Sequence, residues 1–228
     1  MGVESIALDP SDPNRLYLSC GTYTNPRTPN GAILRSSDRG RTFVRTDVPF
    51  KMGGNEDGRG NGERMAVDPN NGNIIYLGTR HAGLWKSTDA AVTWNRVESF
   101  PDMTENTPAG MHDADSITRW LRTNRGSGII FVLFDPQSGS NGQASQVIYI
   151  GVSLMNRPSI YRSTDAGESW QPLPGQPVQY RPTHAVLAAD GTLYITYGNM
   201  PGPSHMTDGG VWRFNSRENI WTEITPDK

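Results

Sequence analysis

The chain has 228 residues, enough to bury a core of its own in one or two domains, and a net charge of only -2 with both signs mixed. That balance leaves no electrostatic footprint for nucleic acid or an acidic membrane surface. No apolar run approaches membrane-spanning length, and the single cysteine, Cys20, excludes an internal disulfide framework. Gly 25 and Pro 17 are abundant and long helical periodicities are absent, a composition that predicts an all-β chain with many turns. The opening Met1-Gly2-Val3-Glu4-Ser5 enters a strand at once, without a signal segment, and reads as the start of an excised piece.

The first unit is predicted to hold four strands: Ser5–Leu8, Leu16–Ser19, Ala32–Arg35 and Thr42–Arg45. The last pair is joined by Ser36-Ser37-Asp38-Arg39-Gly40-Arg41-Thr42-Phe43. The same sentence returns as Ser87-Thr88-Asp89-Ala90-Ala91-Val92-Thr93-Trp94 and as Ser163-Thr164-Asp165-Ala166-Gly167-Glu168-Ser169-Trp170. This Asp-box is expected to work as a hairpin clamp, its carboxylate and hydroxyls accepting the N–H groups that a tight turn leaves unpaired. The closing aromatic is expected to be buried against the next layer. Repetition in three units makes Asp38, Asp89 and Asp165 fixtures of the fold rather than catalytic carboxylates. Ala91 stands where Gly40 and Gly167 stand, and costs about 1 kcal/mol if that position is left-handed.

Units two, three and four repeat the strand pattern from Arg64, Ile130 and His184. The fourth carries the lead-in Val211-Trp212-Arg213 without a box. Turn chemistry such as Asp-Pro-Ser-Asp-Pro-Asn at 9–14 and Asp-Pro-Asn-Asn-Gly-Asn at 68–73 separates first from second strands. Short strands in fours, repeated along the chain, predict a β-propeller. The expected architecture is a partial, all-β propeller of about four antiparallel blades forming one domain over 1–228. The blades fall approximately at 1–50, 64–100, 129–175 and 183–226, with a long insertion at 101–128. The first and last blades are expected to expose their flanks.

Strand parity places the boxes and the first-to-second turns on one rim. The long connections emerge at the other: Gly21–Gly31 with Tyr23, Lys51–Glu63, Pro101–Gly128 with Trp120, Asn156–Pro158 and Gly198–Gly210. Aromatic-bearing loops on a rigid scaffold are where binding is expected. Asn55, Arg59, Arg64 and Arg80 are the candidate donors to sugar hydroxyls, and Tyr23 and Trp120 offer flat faces for a sugar ring. The loop ending at Arg64 is rich in Gly and Asn, which would let backbone approach a ligand closely. Equally, Arg59 and Arg64 would tie that loop to neighbouring blades, and Asp57 and Glu63 would brace it. His112-Asp113-Ala114-Asp115 lacks a second cluster and is read as solvated loop, so neither metal nor cofactor is expected. His184 is expected to be a satisfied inner-channel residue.

The run from Gly53 to Asn71, followed by Gly83-Leu84-Trp85-Lys86-Ser87-Thr88-Asp89, resembles glycoside hydrolase family 74, the xyloglucanases and related β-glucanases. Gly2–Pro10 and Asn30–Ser36 fit the same family, whereas 101–158 matches it weakly. The resemblance implies a secreted enzyme of two seven-bladed propellers with a cleft between them for a glucan backbone. It implies inverting hydrolysis of β-1,4-glucosidic bonds by one Asp from each propeller. The first of these Asp residues belongs to an Asp-Ile-Gly-Gly stretch, and neither motif occurs in this sequence. On that basis the chain would form part of one cleft wall, would contain no catalytic acid, and would be inactive alone. Its partners would be xyloglucan or another β-glucan, the remainder of its propeller and a second propeller. The alternative is a non-catalytic binding or scaffold propeller, because Asp-boxes also occur in sortilin-type receptors and photosystem assembly factors.

Overall fold

The computed structural model describes residues 2–102, 127–202 and 205–226. They form four separate four-stranded antiparallel sheets, each with its strands in chain order. Blade one comprises β1 (Val3–Leu8), β2 (Leu16–Cys20), β3 (Ala32–Ser36) and β4 (Val44–Asp47). Blade two comprises β5 (Met65–Val67), β6 (Ile75–Gly78), β7 (Leu84–Ser87) and β8 (Asn95–Arg96). Blade three comprises β9 (Ile129–Phe134), β10 (Ile148–Val152), β11 (Ile160–Ser163) and β12 (Gln171–Pro172). Blade four comprises β13 (Arg181–Leu187), β14 (Thr192–Gly198), β15 (Gly209–Asn215) and β16 (Ile220–Glu223). The inner strands β1, β5, β9 and β13 pack side by side in that order, as in a propeller.

Each sheet buries its apolar alternation against its neighbour, so the core lies between blades rather than within one. Tyr17 and Ile33 of blade one meet Met65, Val67, Ile75 and Leu77 of blade two. Tyr76 and Leu84 meet Ile129, Val132, Ile148 and Ile150 of blade three. Phe131 and Tyr149 meet Leu193, Ile195, Trp212 and Phe214 of blade four. Each such side chain, fully buried, contributes about 1.5–3 kcal/mol relative to exposure. The two end flanks lack this cover: Ile6, Leu8 and Val44 are 48–63 % exposed on blade one, and Val186 is 66 % exposed on blade four.

The boxes are nearly superimposable in their bonding. Ser36 Oγ donates to Asp38 Oδ1 at 2.7 Å, and the Thr42 hydroxyl donates to Asp38 Oδ2 at 2.6 Å. The Thr42 N–H reaches Asp38 Oδ1 at 2.9 Å. Box two repeats this at 2.8, 2.6 and 2.8 Å, and box three at 2.7, 2.6 and 2.9 Å. Ala91 does adopt the left-handed conformation, with φ 67°, beside Ala90 at 57°.

The closing aromatics correct the sequence expectation. Trp170 is buried and stacks edge-on with Tyr76 and Phe100 of blade two, whereas Phe43 is 40 % exposed. Trp94 and Trp170 pack against the blade before their own, and blade one has none before it among the described residues.

Candidate functional site

The two rims separate as parity requires. On the box rim, Arg39 N–H bonds Asn14 O, Ala90 N–H bonds Asn73 O and Ala166 N–H bonds Gln146 O, at 3.0–3.1 Å. These are box corners meeting first-to-second turns. At the opposite rim the connection between blades one and two, residues 51–63, meets the other long loops. Its Gly54 and Asn55 N–H groups donate to Gly21 O and Thr22 O, and its Gly58 N–H donates to Gly202 O at 2.7 Å.

That connection crosses the inner end of every blade. Glu63 accepts from Ser5 Oγ at 2.5 Å and Ile6 N–H at 3.0 Å on blade one. The Glu63 carbonyl accepts from Val132 N–H on blade three, and Gly62 N–H donates to Thr183 O on blade four. Glu63 is thus the brace that its sequence context suggested.

Arg64 and Arg80, expected among the sugar donors, lie beneath the loop. Arg64 is 1 % exposed and Arg80 6 %, and both point at Glu4, itself buried at the inner strand of blade one. Arg80 Nε bonds Glu4 Oε1, its Nη2 donates to Gly53 O at 3.0 Å and its Nη1 to Asp57 O at 2.7 Å. Arg64 Nη1 donates to Ser127 O at 2.8 Å and to Ile129 O, while its Nε faces Glu4 at 3.4 Å as an ion pair. Buried and with most of their donors committed inside the protein, these two arginines are struts. The physical reason is that a buried guanidinium must be paired.

Burial alone would raise the Glu4 pKa, but the Arg64 and Arg80 charges and the Gly53 N–H overcome it and hold the carboxyl below its usual range. Burial pulls the Arg64 pKa down to about 10, which still leaves it protonated at neutral pH. Burial likewise pushes His81, beside this cluster, down to about 4, so its imidazole is neutral there.

Most loop glycines serve this packing. Gly62 sits at φ 69°, and a Cβ there would overlap Ile130 O. Cβ atoms at Gly53 and Gly54 would strike the Arg80 side chain and Gly21 O, so close approach is to the protein's own atoms. Gly60 differs: nothing lies within 4 Å of a Cβ built on it.

What remains outward is Tyr23, Asn55 and Arg59, all exposed. Asn55 Nδ2 donates to the Tyr23 hydroxyl, so the two side chains present as a pair. Glu56 holds them together by accepting from Thr24 N–H at 2.6 Å and Thr24 Oγ1 at 2.8 Å. Arg59 touches Glu56 O at 3.4 Å and otherwise extends from the loop. The sequence placed these three on exposed loops, as the structure does, but Glu4 and the role of Glu56 were not foreseen. A carboxylate at an inward position of a strand was the available signal.

Trp120, His112, Asp113 and Asp115 lie outside the described residues. Asp102 pairs with Arg96 at 3.6 Å, and Asp208 accepts from Tyr180 Oη at 2.6 Å. Among the described residues no three His, Cys, Asp or Glu side chains gather to hold a metal ion. His184 is exposed on β13 rather than satisfied in the channel, and it faces the 59–61 turn across a cavity.

No family model matches the chain. Among curated proteins it is 51 % identical, over 99 % of its length, to a xyloglucanase of Acetivibrio thermocellus, and 45 % identical to a xyloglucanase of Hypocrea jecorina. Among solved structures it superimposes on the family 74 xyloglucanase of Xanthomonas campestris with TM-score 0.88 and 45 % identity, covering 100 % of this chain and 31 % of that one. The chain spans 26 % of either curated relative. On a similarity that runs its whole length, the chain is a partial-propeller homologue of the glycoside hydrolase family 74 xyloglucanases.

Proposed function

We propose that the chain forms one wall of the glucan-binding cleft of a secreted, inverting β-1,4-glucanase acting on xyloglucan, with its catalytic acids outside these residues. The observation that carries this is the Tyr23–Asn55–Arg59 surface. It is an exposed aromatic beside amide and guanidinium donors, and the loop that carries the two donors is locked from below by Glu4, Arg64 and Arg80. A sugar ring offers a C–H face to the aromatic and hydroxyls to the donors, and a fixed loop spares the ordering cost of binding.

The chemistry agrees with an absence of turnover by the chain alone. Inversion needs two carboxyl groups about 6.5–9.5 Å apart, one protonated and one activating water. Among the described loop-rim carboxylates, Glu56 and Glu63 are engaged in bracing, Asp102 and Asp208 are paired, and Asp57 is exposed.

Affinity electrophoresis through a xyloglucan gel tests the proposal. The wild-type chain should be retarded, and Tyr23→Ala or Arg59→Ala should weaken binding about five- to tenfold without changing the melting temperature. Release of reducing ends from xyloglucan by the 228-residue chain would overturn the placement of the acids. Unchanged retardation of both variants would overturn the surface.

A further inference from the structure

The seam between consecutive blades is built from one repeated part. On the face that a blade turns to the next, a cross-strand rung sets an apolar residue, a tyrosine and a base side by side. The rung is Ala7, Tyr17 and Arg35 in blade one, and Ala66, Tyr76 and Lys86 in blade two. In blade three it is Leu133, Tyr149 and Arg162. The following blade covers each rung with the corner between its third and fourth strands. Tyr76 Oη donates to Ala166 O at 3.1 Å while its ring meets Trp170 edge-on. Tyr17 packs in one cluster with Ala91 and Trp94 of box two, and Tyr149 bonds Ser216 at the corner of blade four. These three tyrosines are accordingly 0–2 % exposed.

Blade four carries the same rung as Val186, Tyr194 and Arg213, and there it is open: Tyr194 is 38 % exposed and Val186 66 %. Blade one carries the other half of a seam. The fourth residue of its box, Arg39, sits at φ 62°, as Ala90 and Ala166 sit at 57° and 56°, so the Arg39 carbonyl is presented as the Ala166 carbonyl is. Phe43 stands in the place of Trp170, exposed. Beside it Ile6 and Leu8 hold the register positions that Met65 and Val67 hold in blade two. Met65 and Val67 are buried by blade one, at 1 and 5 % exposure, whereas Ile6 and Leu8 are open.

We infer that a second copy of this chain completes the seam, the box corner of blade one in each copy seating on the Tyr194 rung of blade four in the other. The occupant is read from the seams already built: what covers such a rung is a blade corner, an Asp-box at Tyr17 and Tyr76, and the chain presents one uncovered box, its own. Phe43 then meets Tyr194, the Tyr194 hydroxyl donates to Arg39 O, and Ile6 and Leu8 lose their contact with water. One knob and one socket per copy make the contact head to tail. Two copies joined at both ends give eight blades, the upper end of the usual range for propeller rings, and leave no flank open. The association is independent of sugar binding at Tyr23, Asn55 and Arg59.

Sedimentation velocity of the 228-residue chain at micromolar concentration should show a particle of two chains. Phe43→Arg sets a cation opposite Arg213, and Tyr194→Glu removes the ring and hydroxyl of the socket. In a closed pair each change breaks both seams, so each should raise the dissociation constant at least about a hundredfold. Mixing the two variants restores one intact seam, Phe43 of one chain on Tyr194 of the other, so the mixture should pair where neither variant does alone. Should either variant melt below the wild-type chain, Leu8→Arg and Val186→Glu, at side chains 63 and 66 % exposed, must give the same results in its place. A wild-type chain that stays monomeric would overturn the inference. So would pairing that survives Tyr194→Glu, because the contact then lies elsewhere, and so would a mixture that fails to pair, because the contact is then not head to tail. Wild-type particles that keep growing beyond two chains would overturn the closed ring.

Discussion

The two rims of this partial propeller are held by opposite kinds of interaction. At the box rim each Asp carboxylate bonds partners two to four residues away, in the open, and the pattern is copied three times with distances agreeing to 0.2 Å. At the loop rim the carboxylates of Glu4, Glu56 and Glu63 reach partners thirty-two to seventy-six residues away, in arrangements that occur once. Glu4 and its two arginines are buried besides. A local clamp can be repeated wherever its octapeptide occurs. A nonlocal strut exists only when the blades have already assembled.

The contrast is sharpest in the cost of losing one carboxylate. Glu4→Ala leaves two buried guanidinium groups without their shared counter-ion, Arg80 keeping only Glu56 at 3.8 Å, so unfolding in urea should show a loss of about 3–5 kcal/mol. Sugar binding should fall with it, because the loop that carries Asn55 and Arg59 rests on that cluster. A loss as small as that of a box mutant would show that the cluster is solvated in solution.

Asp89→Ala removes the local bonds to Ser87 and Thr93 and should cost about 1–2 kcal/mol in the same measurement, with saccharide affinity untouched. The boxes also predict an acid limb. Hydrogen bonds from the Thr42 side chain and N–H and from Ser36 depress Asp38 from 3.8 to about 2, and the Ser169 and Ser163 hydroxyls with the Ser169 N–H do the same for Asp165. A depressed folded pKa means stability present above the unfolded value and lost as pH falls through the folded one. Melting temperature should therefore decline as pH falls from about 3.8 to about 2, and removal of both carboxylates should flatten that limb. An unchanged slope in the double variant would assign the acid limb elsewhere.

The smallest effect expected is at Ala91. Replacing it by Gly relieves about 1 kcal/mol of left-handed strain but gives up a fully buried methyl worth about 0.8 kcal/mol. The net change in melting temperature should be close to nil. A clear stabilisation would mean that the methyl packs poorly.

The propeller was legible from sequence because its signals are short-range. A period-two alternation, an Asp-Pro turn and an Asp-box each state their structure within about ten residues. Tyr23, Asn55 and Arg59 were legible for the related reason that they sit in long loops on the rim opposite the boxes. The roles of Arg64 and Arg80 were not, since a loop arginine looks the same whether its partner is a sugar or a buried glutamate in another blade. Phe43 misled in the same way: its octapeptide matches that of Trp170, but among the described residues only the latter has a preceding blade packed against it.

By itself, then, the sequence determined four-stranded units, the clamp at each box corner and the rim on which the long loops emerge, all set by backbone periodicity and local hydrogen bonding. The tertiary structure alone decided that most glycines of the 53–62 run serve internal packing, that Glu4 anchors the loop, and that a cavity opens beside Gly60. Those outcomes depend on which groups from distant blades arrive at the same point. Desolvation of charge and overlap of atoms act on that meeting, and neither is written in any one stretch of chain.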